Sequence, residues 1–240
     1  MNPTTEAERY FDALWAGAET ALRAGDIPPA RMENGTTVPL DYCISTVARA
    51  AQQQIAPAAP LKALIGRFRD ALPDQFFYPE LSLHISLLGC TQRHPDKLTF
   101  TPERIAAIEA VCRDVLRDRE PVPLTLKGAG LVGNQAFIQV YPQTRRWEHL
   151  RAALEAAIVA LGESPLSHAN KAPIHMNFLR LVDNKPETLA AVLALLREMR
   201  SQPIGEFHVD TVELFLTDFV IAPAYATKLA AFPLQGMARD

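Results

Sequence analysis

Apolar positions along this 240-residue chain follow two spacings, one helical and one strand-like, and the two alternate. Phe11, Leu14, Trp15, Ala18 and Leu22 fall at helical spacing and predict an opening helix. Leu61, Leu64, Ile65, Phe68 and Leu72 predict a second helix over Pro60–Leu72. Thr101, Pro102 and Glu103 read as the cap, first-turn proline and acid of a third, with Ile105, Ile108, Cys112 and Val115 as its stripe. Trp147, Leu150, Leu154, Ile158 and Leu161 mark another, and Pro186–Met199 the last. Strands are predicted at Tyr42–Val47, Phe76–Leu88 (broken near Pro79), Val122–Leu126, Ala136–Tyr141, Ile174–Leu181 and Phe207–Phe219. The run GAGLVGN reads as a glycine-rich turn between two of these strands. Gly25–Pro39, with three prolines and an Asn-Gly pair, reads as a plain connection rather than a lid. The chain thus divides into residues 1–40, a helix and proline-rich linker, and a body over 41–240. Within the body each round of strands and two helices holds one histidine-bearing strand, a duplication of pattern without visible identity. Two similar α/β lobes sharing one groove account for it.

Those two strands carry the candidate chemistry. In LSLHISLL, alternation sets Leu81, Leu83, Ile85 and Leu87 toward the core and projects His84 and Ser86 from the opposite face. In APIHMNFLRL, Ile174, Met176 and Phe178 take one face and His175 with Asn177 the other. Arg180 then falls on the apolar face, as if the strand ended or twisted there. One histidine followed two residues later by a small polar residue carries little information. Two such triplets, each in an apolar strand and each in one half of the pattern, are much less easily accidental.

The paired triplets resemble the HxT/S signatures of the two-histidine phosphoesterase superfamily, which includes bacterial RNA 2′,3′-cyclic phosphodiesterases, often labelled 2′-5′ RNA ligases. The ending, with Tyr225 to Leu229 and then Phe232-Pro233-Leu234, resembles the closing phrase of bacterial members, so the resemblance runs from about Asp41 to Leu234. His84-Ile85-Ser86 fits the pattern, whereas His175-Met176-Asn177 places an amide where a hydroxyl is usual. The fold this implies is α+β: two pseudo-symmetric α/β lobes with mainly antiparallel sheets around a central groove, plus the N-terminal helix. The implied activity is hydrolysis of a 2′,3′-cyclic phosphate on a nucleotide or RNA end, with neither metal nor cofactor, and with weak 2′-5′ ligation as a possible companion. His84 and His175 would divide acid and base work, which imidazole can do in either sense near neutral pH. Ser86 and Asn177 would bind the phosphate by donating to its non-bridging oxygens, where charge accumulates. A nucleobase should lie against apolar or aromatic side chains, and Phe76, Phe77, Tyr78 and Tyr225 are candidates that ordinary core packing also explains. Two other readings stay open: a non-catalytic nucleotide or RNA-end binding module on the same fold, and a structural protein whose polar strand residues satisfy one another.

Composition narrows the partner. With 24 Lys and Arg against 27 Asp and Glu, the chain lacks the basic excess of proteins that track long nucleic acids, so a nucleotide or RNA terminus suits it better. Cys43, Cys90 and Cys112 are too few and too scattered for a disulfide framework and form no zinc-like pair. The polar, acidic start MNPTTEAERYF argues against a signal peptide, and no apolar run reaches membrane-span length. A cytoplasmic protein, monomeric and without membrane partners, is expected. His168 in the polar loop Ser164–Ala172 reads as a surface residue that could gate the groove, and His94, His149 and His208 as surface or structural residues. Arg145-Arg146 reads as two solvated cations, and Lys127-Gly128-Ala129-Gly130 lacks the pattern of a phosphate loop.

Overall fold

The computed structural model describes residues 3–52, 54–56, 58–166 and 173–236; His168 and most of its loop lie outside the described residues. The chain opens with α1 (Pro3–Ala24) and a small hairpin, β1 (Met32–Glu33) and β2 (Thr36–Thr37). There follow β3 (Cys43–Arg49), β4 (Gln54–Ala56), α2 (Ala58–Ala71), β5 (Phe76–Phe77), β6 (His84–Gly89) and α3 (Pro102–Leu116). Next come β7 (Val122–Val132), β8 (Gln135–Pro142), α4 (Arg146–Ala160), β9 (His175–Arg180) and α5 (Pro186–Met199). The last strands are β10 (Pro203–Val209), β11 (Thr211–Thr217) and β12 (Thr227–Pro233). The helices fall close to where the apolar stripes put them. Thr101 caps α3 by accepting from the Arg104 N–H, as the cap, proline and acid sequence predicts.

The main strands form an antiparallel series in the order β12, β11, β3, β6, β9, β8, β7, β10, β4, with β5 attached to β9. The centre of the series is its weakest seam: β6 and β9 pair only at Ile85 and Met176. On one side β12, β11, β3 and β6 carry α3 and α4; on the other β9, β8, β7, β10 and β4 carry α2 and α5. These are the two lobes of an α+β fold. They are not the two rounds of sequence pattern, however. From β3 the chain crosses to the second lobe for β4, α2 and β5, then returns for β6 and α3. It crosses again for β7 and β8, back for α4, over for β9, α5 and β10, and home for β11 and β12.

Three local expectations change. The GAGLVGN run is mostly strand: β7 continues to Val132, and only Gly133 and Asn134 turn the chain. The glycines act inside the ladder, where the register shifts between Leu126 and Ala129. Gly128 adopts φ +74, and a Cβ there would run into the Arg200 carbonyl. Leu81 is 58% exposed instead of facing the core, because Glu80–Ser82 form a 3-10 turn and alternation begins only at His84. The linker is more than a connection. Asn34 and Gly35, both at positive φ, turn the β1–β2 hairpin, as an Asn-Gly pair favours. That segment touches both lobes: Ala30 N–H donates to the Leu181 carbonyl, Asn134 to the Pro28 carbonyl, and Thr36 to Asp218.

The N-terminal helix is docked rather than appended. Phe11 meets the rings of Phe137 and Tyr141 on β8 at 5.9 and 5.2 Å. Asp12 and Glu19 pair with Arg200 and Arg197 at the end of α5. Among the described residues no helix is long and apolar enough to cross a membrane.

Candidate active site

The single bridge between β6 and β9 organises the site. Ile85 and Met176, paired there, are both fully buried on the core face. Their flanking residues therefore share the opposite face: His84 beside Asn177, and Ser86 beside His175. All four side chains expected to form the site are brought together by one pair of core residues. Ser86 is exposed, His175 and Asn177 are half-buried, and His84 is the most enclosed at 8% exposure.

The two imidazoles are held alike. His84 Nδ1 lies 2.7 Å from the Ser82 carbonyl, and His175 Nδ1 lies 2.8 Å from the Pro173 carbonyl. A carbonyl only accepts, so each Nδ1 bears the proton and donates it. Each Nε2 is thereby left with its lone pair for chemistry. Histidine orientation of this kind usually depends on a second-layer partner; here the partner is backbone two residues upstream in both strands, which no side-chain motif reveals. Phe137 adds a ring contact to His175 at 5.3 Å.

Burial sets the protonation of both groups. It pushes His84 down from 6.5 to about 4, reinforced by His175 and Arg49 and opposed by the Ser82 carbonyl and the Asp218 carboxylate. His175 is also lowered, chiefly by burial and further by Arg151, against the pull of the Pro173 carbonyl. Both imidazoles are neutral near pH 7.

At Arg180, where strict alternation pointed to the apolar face and to a strand that ends or twists, β9 does both. The β8–β9 register shifts between Ala136 and Phe137, so Gln135 faces Arg180 while Phe137 faces Asn177. This bulge turns Arg180 onto the same face as His175 and Asn177, away from the apolar side. Gln135 Oε1 accepts from both Arg180 Nη2 and Asn177 Nδ2, each at 3.3 Å. Because arginine only donates, that oxygen is fixed, and Asn177 is fixed with its Nδ2 toward Gln135. Asn177 Oδ1 is left buried without a partner. One of the donors expected to reach the phosphate is therefore committed to Gln135, and one N–H of the amide remains. Arg180 Nε donates to the Tyr78 hydroxyl at 3.0 Å, and its guanidinium lies 4.6 Å from the Phe219 ring. Arg93 covers the same ring at 3.9 Å. Arg180 is almost wholly enclosed, and no carboxylate pairs with it among the described residues. Such an enclosed charge is costly unless an anion meets it. On the other lobe Arg49, the register partner of His84, is bidentate to Glu213 at 2.6 and 2.8 Å, so its charge is already matched.

Tyr78 is buried in the core, and Phe76 packs edge-on to it at 5.8 Å. Arg145 and Arg146 pair with Glu6 and Glu120. His94 bonds within its own turn to Asp96 and Thr99, and His208 lies 3.6 Å from Glu206. None of these joins the four-residue cluster.

A family model for the 2′-5′ RNA ligase superfamily matches residues 55–218 of the chain, a span that holds both histidine strands. The chain belongs to the 2′-5′ RNA ligase superfamily. An RNA 2′,3′-cyclic phosphodiesterase of Methanothermobacter thermautotrophicus is 26% identical over 154 residues, covering 58% of this chain and 80% of that protein. TT0787 of Thermus thermophilus is similar in fold, with a TM-score of 0.55 and 19% identity, covering 82% of this chain and all of that one. LigT of E. coli, solved with 3′-AMP, gives a TM-score of 0.51 and 18% identity over 81% of this chain and 98% of its own. In this member of the superfamily α1, the β1–β2 hairpin, β3 and β12 lie outside the matched span.

Proposed function

We propose that this protein is a metal-independent cyclic phosphodiesterase that opens a 2′,3′-cyclic phosphate on a nucleotide or RNA end. The observation that carries the reading is the matched pair of imidazoles, each with Nδ1 tied to the backbone carbonyl two residues upstream and Nε2 left with its lone pair, on one face beside Ser86, Asn177 and Arg180. The phosphodiester anion enters next to Arg180 and the remaining amide and hydroxyl donors. Its charge raises the lowered imidazole pKa values and so recruits the proton that the acid needs. One imidazole then takes a proton from the attacking water as its oxygen bonds to phosphorus. The other delivers its proton to the ribose oxygen as that P–O bond breaks, leaving a phosphomonoester. Exchange with solvent resets the pair. Weak 2′-5′ ligation is the same chemistry with a ribose hydroxyl of a second RNA in place of water. We assign the activity to a cytoplasmic monomer, consistent with three buried free thiols.

Asn177 favours a second reading, a nucleotide or RNA-end binding module without turnover, since its amide is partly committed to Gln135. Turnover of a 2′,3′-cyclic nucleotide in the presence of EDTA separates the two. The enzyme should remain active in chelator, and His84→Ala or His175→Ala should each lower kcat by about a hundredfold or more. Tight binding with no turnover in the parent would establish the module instead.

A further inference from the structure

The proton on His84 Nδ1 is held by the Ser82 carbonyl, and Ser82 is itself anchored. Its hydroxyl, fully buried, donates to the Ile221 carbonyl at 2.7 Å. Ile221 sits at φ +53, a region a β-branched residue enters only when its surroundings force it. What holds it there is Asp218. Its Oδ1 accepts from the Ala222 N–H at 2.8 Å and from Thr217 Oγ1 at 3.2 Å, closing the turn around Ile221. The Ile221 side chain packs on Val47 and Phe215, on the face of β3 and β11 that also carries Arg49 and Glu213. Asp218 Oδ2 accepts from Thr36 Oγ1 at 2.5 Å, and Thr36 belongs to the β1–β2 hairpin, outside the matched family span.

Two features make this more than a turn. Asp218 is 2% exposed and Thr36 is 3% exposed, yet no Lys, Arg or His pairs with the carboxylate among the described residues. A carboxylate buried among neutral donors is an expensive way to close a loop, and here it accepts through both oxygens, whereas an amide offers only one acceptor oxygen. The carboxylate's negative potential does reach His84, where it favours the protonated ring. The other groups that face this imidazole, His175 on β9 and Arg49 on β3, act in the opposite sense.

We propose that Asp218 is a positioning residue for His84, acting through Ile221 and Ser82, and that Thr36 of the N-terminal hairpin completes the same chain of bonds. The proposal rests on the reading of His84 as one of the two proton-transferring groups. Through this chain the hairpin determines which nitrogen of His84 faces the phosphate. Among the described residues Asp218 is also the carboxylate whose negative potential helps the ring accept a proton.

The test reads the ring directly as well as through turnover. Nitrogen-15 NMR of the full-length protein should show His84 protonated at Nδ1 and free at Nε2. Ser82→Ala and Thr36→Val should mix the tautomers and lower kcat on a 2′,3′-cyclic nucleotide by about tenfold, as loss of an outer partner of a functional histidine does, with KM little changed. Thr36→Ser, which keeps the hydroxyl, should restore both readouts. Asp218→Asn, whose Nδ2 can donate to the Thr36 hydroxyl in place of the bond that Oδ2 accepts, should keep the tautomer but make His84 harder to protonate and weaken the acidic side of the pH–rate profile. Variants that melt earlier but leave the His84 ring signals as in the parent would reduce Asp218, Ser82 and Thr36 to structural residues and overturn the proposal. If the parent turns nothing over but the ring signals change as stated, the positioning chain stands and the enzymatic reading falls. Should Asp218→Asn fail to fold, Thr36→Val and Thr36→Ser decide alone.

Discussion

Acidification should destabilise this fold through His84, and by an amount the structure sets. The imidazole titrates at 6.5 in the unfolded chain and at about 4 in the folded one, because burial disfavours its charged form. Between those values the unfolded chain binds the proton and the folded chain does not. Stability therefore rises with pH across the window and is lost as pH falls through it. The full difference corresponds to about 3 kcal/mol, of which about 2 kcal/mol is lost between pH 7 and pH 5. His84→Gln removes the titrating group and keeps a polar side chain of similar reach. Urea unfolding of parent and variant at pH 7 and pH 5 isolates the effect, because His175 and the carboxylates titrate in both proteins. The parent should lose about 2 kcal/mol more than the variant over that interval. Equal losses in the two proteins, or an NMR titration placing His84 near 6.5, would refute the claim that burial holds this ring neutral. Added inorganic phosphate or a nucleotide monophosphate should raise the His84 titration point, since an anion beside the ring stabilises its charged form.

Asn177→Ala should lower kcat by roughly a hundredfold and affect KM less, because a donor to the phosphate matters most where charge builds; Asn177→Ser should recover part of it. Steady-state kinetics that are indifferent to both changes would make the Gln135 bond its whole purpose. Phe11→Ala empties the ring cluster with Phe137 and Tyr141 and should cost about 3 kcal/mol, read by denaturant unfolding, with faster hydrogen exchange along α1. Gly128→Ala combines a positive φ with a clash against the Arg200 carbonyl and should cost about 2 kcal/mol or more by the same measurement.

Periodicity made much of this molecule legible. Trp147, Leu150, Leu154 and Ile158 are buried as their helical spacing requires, and alternation in the two histidine strands set His84, Ser86, His175 and Asn177 on one face. What alternation could not carry was its own interruption. The bulge opposite Phe137 shifts the phase of β9 by one residue and brings Arg180 round to the site. The 3-10 turn before β6 likewise frees Leu81 and encloses Ser82. Neither break has a residue signature, because both arise from how neighbouring strands match in register. The Nδ1 bonds to Ser82 and Pro173 were hidden for a related reason: any residue supplies a carbonyl. Thr36 and Asp218 meet across 182 positions in sequence, beyond the reach of any local pattern. The split into lobes was misplaced along the chain because pattern reports neighbours in sequence, whereas β6 and β9 meet across 91 residues at Ile85 and Met176.

The repeated crossing between lobes has a consequence for how the molecule can be cut and moved. No single peptide bond separates one lobe from the other, so neither can be expressed as a fragment that keeps all its strands. A break in the Gly133-Asn134 turn, for example, would leave β3, β6 and α3 in one piece and their partners β11, β12 and α4 in the other. Two such pieces should regain the histidine pair only by associating, which makes that turn a natural place to build a split reporter. For the same reason the lobes do not swing on one hinge. Any widening between His84 and His175 has to flex several connections together, which favours small breathing at the Ile85–Met176 seam over a wide opening.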